Sequence, residues 1–226
     1  MRYILIFAGV AALIGTMLLL LGNTGTAAIV GSSHDLRTYG TGGPQATTQV
    51  CVYCHTPHNA NTDARLTPTY LWNRNVRATD YTVYDATYTD PLANNTPHTL
   101  MCMSCHDGAT TAIGQMLNPP NDYTGAQDTV YVTGDADLDT GGEELSNDHP
   151  VDLIYLTTTE GGVLPSSDFF DSTSIQTAGI QLFTFGTNSN VMTCASCHEP
   201  HNKTGLDSFL RVTPDNSQIC TTCHNM

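Results

Sequence analysis

All eight cysteines of this 226-residue chain fall in Cys-x-x-Cys pairs, and a histidine follows each pair directly. The four sets are Cys51/Cys54/His55, Cys102/Cys105/His106, Cys194/Cys197/His198 and Cys220/Cys223/His224. With nine histidines in the chain, four such placements by chance have odds of about one in a few hundred thousand. Two thiols three residues apart on a helical turn can add to the two vinyl groups along one haem edge, and the next side chain then lies beneath the ring, where it can bind the iron. Zinc sites also use Cys-x-x-Cys, but need no histidine after each pair. A thioredoxin-like redox pair would occur once, and a disulfide framework would not keep this tight spacing throughout. The pattern predicts four covalent c-type haems, with His55, His106, His198 and His224 as proximal iron ligands.

Four irons need four further ligands. Five histidines remain: His34, His58, His98, His149 and His201. Methionine is the competing ligand, but Met101 and Met103 flank Cys102 and are badly placed for the far face of their own iron. Histidine on both faces of every iron is the simplest reading. His58 and His201 each follow a proximal histidine by three residues, so one turn can hold two irons, each through one imidazole. His149 has Asp148 beside it to orient its ring. With His34 these make four distal ligands, and the role of His98 stays open. If every iron is saturated in this way, none offers a substrate site, which argues for an electron carrier and against an enzyme.

The charge balance excludes other classes. The chain has 21 acids against 7 bases, net −14, and Lys203 is its one lysine. Nucleic-acid binding needs clustered Lys and Arg, and so does docking on anionic lipid. At the N-terminus Arg2 precedes an apolar run, Tyr3 to Leu21, and small residues follow to Ala28. That order reads as a secretory signal over residues 1–28, cleaved after Ala28, leaving no membrane anchor on an exported chain.

Threonine, glycine and proline are too frequent for long helices. The expected fold is mostly irregular, with short helices at the Cys-x-x-Cys-His turns and a few short strands, organised around a chain of four haems. Alternation predicts strands over 129–133, 151–156 and 180–185; a helix is expected over 109–116. Residues 29–120 would hold the first haem pair and the N-terminal ligand segment. Asn118-Pro119-Pro120-Asn121 would close this segment as a linker. Residues 121–190 would form an acidic, turn-rich β-region carrying His149, and 191–226 the second haem pair. The first and third motifs share a longer phrase, Cys-x-x-Cys-His-x-Pro-His-Asn, which suggests an old duplication.

The phrases His34-Asp35-Leu36, Cys-x-x-Cys-His-Thr-Pro-His-Asn, Leu71-Trp72-Asn73-Arg74, Cys105-His106-Asp107-Gly108 and Asp148-His149-Pro150-Val151 together resemble the tetrahaem cytochromes of metal-reducing microbes. The resemblance is nearest to the extracellular ones that polymerise into conductive filaments. It implies an irregular fold wrapped around a haem chain, histidine ligation of every iron, and one distal ligand lent by the neighbouring subunit, with His34 the natural lender. It also implies a homopolymer that passes electrons to other redox proteins or external acceptors. A monomeric periplasmic shuttle has the same chemistry without the assembly. A multihaem reductase would need one iron with an open position.

Overall fold

The computed structural model describes residues 29–38, 47–67, 70–85, 88–111, 116–123, 131–139 and 144–226. The signal segment expected over 1–28 lies outside them. No helix of the described residues is long and apolar enough to cross a membrane.

Regular structure is sparse, and local chemistry sets its limits. Helix α1 (Pro97–His106) carries the second attachment motif on its last turns. The Thr96 hydroxyl caps it, accepting from the Thr99 N–H at 3.4 Å. Pro97 occupies the first helical position, where its missing N–H costs nothing. The helix ends at His106, and Gly108 then takes a left-handed φ of +60°, where a Cβ would run into the Asp137 carboxylate. Three shorter helices follow: α2 (Ser172–Thr177), α3 (Cys194–Cys197) and α4 (Gln218–Cys223). Asp171 caps α2, accepting from the Thr173 and Ser174 N–H groups at 3.1 and 2.9 Å.

The strands are short. β1 (Thr82–Val83) pairs in parallel with β2 (Glu144–Leu145). β3 (Leu153–Ile154), β4 (Phe183–Phe185) and β5 (Asn188–Met192) form an antiparallel sheet in the order β3-β5-β4. Leu153 lies opposite Met192, and Phe183 opposite Val191. Gly186, at φ +59°, turns the chain between β4 and β5.

The sparse helices and small antiparallel sheet match the expected irregular fold, but several boundaries differ. Residues 109–111 are not helical, and 112–115 lie outside the described residues. The Asp107 carboxylate accepts from the Ala109 and Thr110 N–H groups at 3.1 and 2.6 Å, a turn that competes with helix continuation. Of the strand expected over 129–133, 129–130 lie outside the described residues and Tyr131 makes only a bridge to Thr111. The strand over 151–156 shrinks to β3 because Asp152 takes a left-handed φ of +56°. The strand over 180–185 shrinks to β4. β5 was not expected, since its polar start, Asn188-Ser189-Asn190, hides the alternation. Asn118 is no free linker: its N–H donates to Asn73 Oδ1 at 2.9 Å and its amide to Thr56 Oγ1 at 2.8 Å, tying it to the first attachment turn.

Among the described residues the buried apolar side chains form three separate clusters. Leu36, Val52, Tyr53 and Val132 form one, bordered by Cys54 and Cys105. Leu66, Tyr81, Leu100, Met103 and Leu145 form the second, under α1. The third joins Leu153, Tyr155, Leu164, Ile175, Ile180, Met192 and Val212, bordered by Cys197 and Cys223. Small cores edged by cysteines suit a protein whose remaining apolar contact comes from a bound group.

Candidate functional site

Each attachment motif ends on a short turn that a remote segment clamps. In the first, a 3₁₀ turn over Val50–Tyr53, the Cys54 carbonyl accepts from the Asn73 N–H at 2.8 Å, and the Thr56 N–H donates to the Leu71 carbonyl at 2.9 Å. In the third, on α3, Cys197 and Glu199 bond Arg211 and Phe209 in the same way, at 2.8 and 2.7 Å. In the fourth, on α4, Cys223 and Asn225 bond Phe170 and Asp168, at 3.0 and 2.8 Å. The second is held by a bond from the Leu138 N–H to the His106 carbonyl at 2.9 Å. The duplicated phrase is matched in backbone too: Asn59 and Asn202 both take left-handed φ, +52° and +56°, after the second histidine of their turns. Asparagine is among the few non-glycine residues that visit this region readily.

The clamps also set the imidazole tautomers. Nδ1 of His55, His106 and His198 donates to the carbonyls of Tyr70, Ala136 and Ser208 at 2.8, 2.7 and 2.7 Å. His34 and His149 do the same to Pro200 and Pro150 at 3.1 and 3.2 Å. A proton fixed on Nδ1 leaves the Nε2 lone pair for a metal, the usual arrangement around metal-binding histidines. His201 differs: its Nδ1 donates to a carboxylate, Glu199 Oε1, at 3.1 Å.

Three proximal histidines face a second histidine of the same chain. The ring centres of His55 and His201 are 6.1 Å apart, those of His34 and His106 6.2 Å, and those of His149 and His224 6.4 Å. Two imidazoles on opposite faces of one iron put their centres about 6.3 Å apart, from metal–nitrogen bonds of about 2.0 Å and ring radii of about 1.15 Å. The residues present therefore fit a haem iron that the two imidazoles of each pair would hold. Tyr53 Oη and Trp72 Nε1 are buried beside the first attachment turn with no hydrogen-bond partner among the described residues, as donors meant for a bound group would be. No cluster of three or more His, Cys, Asp or Glu side chains occurs among the described residues, which is the minimum for a protein-built zinc site.

The other candidates separate cleanly. His98 is buried, with Nδ1 against Thr193 Oγ1 at 3.1 Å and Nε2 against Tyr70 Oη at 3.0 Å, so both ring nitrogens are engaged. Phe183 and Phe185 pack edge-on against it. Burial, and then Arg211, push its pKa down to about 4. His98 is thus a core residue. Met103 and Met192 are buried in the apolar clusters, and Met101 and Met116 pack against them. His58 and His198 are both exposed, and among the described residues neither faces another histidine. His34, expected to lend its imidazole to a neighbouring subunit, lies 6.2 Å from His106 of its own chain, measured between ring centres. The Pro200 carbonyl holds its Nδ1, Phe209 stacks on it at 4.3 Å, and Asp35 anchors the segment with Arg37 at 2.7 Å.

The thiols meet in chain order. Cys54 and Cys105 border one apolar cluster, and Cys197 and Cys223 border another. Between them Cys102 and Cys194 share a hydrogen bond, which raises the Cys102 thiol and lowers that of Cys194. Burial pushes the thiols of Cys54 and Cys223 up to about 12 and that of Cys197 up to about 11. Sequence reasoning did not single out Glu199, although its place between His198 and His201 was a local signal.

Residues 188–226, from β5 through the third and fourth attachment motifs, match a family described as the doubled CXXCH motif. No curated protein matches the chain. The paired motifs within that match support reading this chain as a c-type haem-binding multihaem cytochrome, a class that carries electrons.

Proposed function

We propose that the chain is an exported tetrahaem c-type cytochrome that works as the subunit of an extracellular electron-conducting filament. The observation that carries this reading is the set of three histidine pairs at 6.1–6.4 Å, each joining a motif histidine to a distal one. In this reading Cys51/Cys54, Cys102/Cys105, Cys194/Cys197 and Cys220/Cys223 hold the four haems. His55 and His201, His106 and His34, and His224 and His149 bind three of the irons. Each haem, when bound, supplies an iron that takes up and releases one electron. The chain's own residues hold five of these six imidazoles, all but His224, in place through their Nδ1 bonds.

The fourth iron belongs to His198. His58 is the one unplaced member of the distal set, and it stands exposed on its turn. We assign His58 as the ligand lent to the His198 iron of the next subunit, giving a head-to-tail homopolymer. A coordinate bond at each junction would offset the repulsion between the acidic subunits. Electrons would leave to other redox proteins or external acceptors. Electron microscopy of the haem-loaded protein should show filaments, with all iron low-spin by electron paramagnetic resonance.

A second reading rests on the same exposed His198. A monomer whose His198 iron keeps an open face would be a reductase or a shuttle with one reactive site. A wild type that stays monomeric at every concentration, with one stoichiometric high-spin haem that binds cyanide or nitrite, would favour it over the filament.

A further inference from the structure

We propose that Glu199 tunes the iron held by His55 and His201, making it the lowest-potential iron of the chain. The inference rests on the haem reading above and concerns a residue outside the attachment motifs and the ligand set. Of the imidazoles for which a partner is described, His34, His55, His106, His149 and His198 donate Nδ1–H to neutral carbonyls, whereas His201 donates to the Glu199 carboxylate. Glu199 is only 4% exposed. Its other oxygen accepts from the Lys203 N–H at 2.8 Å, which fixes the carboxylate under the ring. Lys203 Nζ reaches Glu199 only at 3.9 Å from a mostly exposed side chain, so it compensates little of the charge.

A carboxylate on the outer nitrogen raises the basicity of a ligating imidazole. The more basic ligand, with a buried negative charge behind it, favours iron(III) over iron(II). The one-electron reduction of that iron therefore becomes harder, and no proton need move with the electron. The duplicated turn contains an internal contrast. At the position of Glu199 the first copy has Thr56, whose hydroxyl donates to the His58 carbonyl at 2.8 Å and leaves that imidazole without a carboxylate. The substitution makes the two copies electronically unequal, and it lowers the potential at the first haem in chain order. That haem is attached at Cys51 and Cys54.

The test is a spectroelectrochemical titration of the haem-loaded wild type and of Glu199→Gln. Glutamine is nearly isosteric and keeps one acceptor oxygen for His201, so it removes the charge and gives up only the bond from the Lys203 N–H. We expect four attached haems and an unchanged low-spin fraction. The most negative couple should move positive by about tenfold in the iron(III)/iron(II) equilibrium, about 59 mV for one electron. The low-spin resonance of one haem should change with it, and Glu199→Asp should restore part of the shift. A titration that superimposes on the wild type, a uniform displacement of all couples, or loss of haem from Glu199→Gln would each overturn the inference. A wild-type chain that carries no covalent haem would instead defeat the reading it rests on.

Discussion

His201 stands opposite His55, with ring centres 6.1 Å apart and ring planes only 24° apart, although the two come from different copies of the duplicated turn. In the proposed reading His201 therefore serves the first attachment turn and not the His198 beside it. His201→Ala should leave the covalent haem content unchanged, because every cysteine pair remains. One iron should lose its sixth ligand and give a stoichiometric high-spin signal in the oxidised protein, and added imidazole should remove that signal. A wholly low-spin variant would show that His201 is not an axial ligand.

His34 and His58 should part company on substitution. His34 is held to the Pro200 carbonyl and faces His106 within one chain. His34→Ala should therefore add a second high-spin haem in dilute monomer, where the His198 iron already lacks its lent ligand. His58 is exposed and faces no histidine among the described residues. His58→Ala should shorten or abolish filaments and leave the spectrum of dilute monomer as it was. Spin state by resonance and filament length by electron microscopy, measured on the same preparations, separate the two residues. Normal filaments from His58→Ala would remove the junction assigned to it.

The attachment turns were legible because their chemistry is local: two thiols and an imidazole within five residues. The distal candidates were legible as a set, since histidine is scarce in the chain. Their pairing was not, because it depends on which remote segment clamps each turn. Only the fold brings Pro200 to His34, or Tyr70 and Thr193 to His98. Helix α1 carries its signals openly, Thr96 as cap and Pro97 behind it. The helix expected over 109–116 failed for a reason that side-chain chemistry supplies, the Asp107 carboxylate gathering the next two N–H groups.

Asp152 should be the most sensitive non-ligand residue. It is fully buried, and its carboxylate accepts from Thr96 Oγ1 at 2.6 Å, Thr99 Oγ1 at 2.8 Å, the Thr96 N–H at 3.1 Å and Asn95 Nδ2 at 3.2 Å. These bonds fasten the first turn of α1, which carries the second motif, to the sheet edge at β3. Asp152→Ala strands buried donors and puts alanine at a left-handed φ, so it should cost about 3 kcal/mol or more. Asp152→Asn keeps the backbone tolerance and two hydroxyl partners but sets its amide against two donors, so it should cost less. Denaturant midpoints of the haem-loaded proteins give the order; an alanine variant as stable as wild type would contradict it.

His98 should give the protein an acid-side stability loss that the haem ligands do not. Iron-bound histidines are held against protonation, whereas His98 is free of iron and buried with Thr193, Tyr70, Phe183 and Phe185 around it. Burial first, and Arg211 second, lower its pKa from 6.5 to about 4 in the folded state. Above pH 6.5 it is neutral in both states and contributes no pH dependence. Between pH 6.5 and about 4 the unfolded chain takes up a proton that the folded chain refuses, so stability falls as pH falls. The whole loss is about 3 kcal/mol, complete near pH 4. His98→Gln can keep hydrogen bonds to Tyr70 and Thr193 but cannot titrate. Subtracting its urea midpoints from those of the wild type, pH by pH, should leave a curve that is flat above pH 6.5 and drops across that window. A difference that stays constant from pH 7 to 4 would mean that the fold does not lower the pKa of His98.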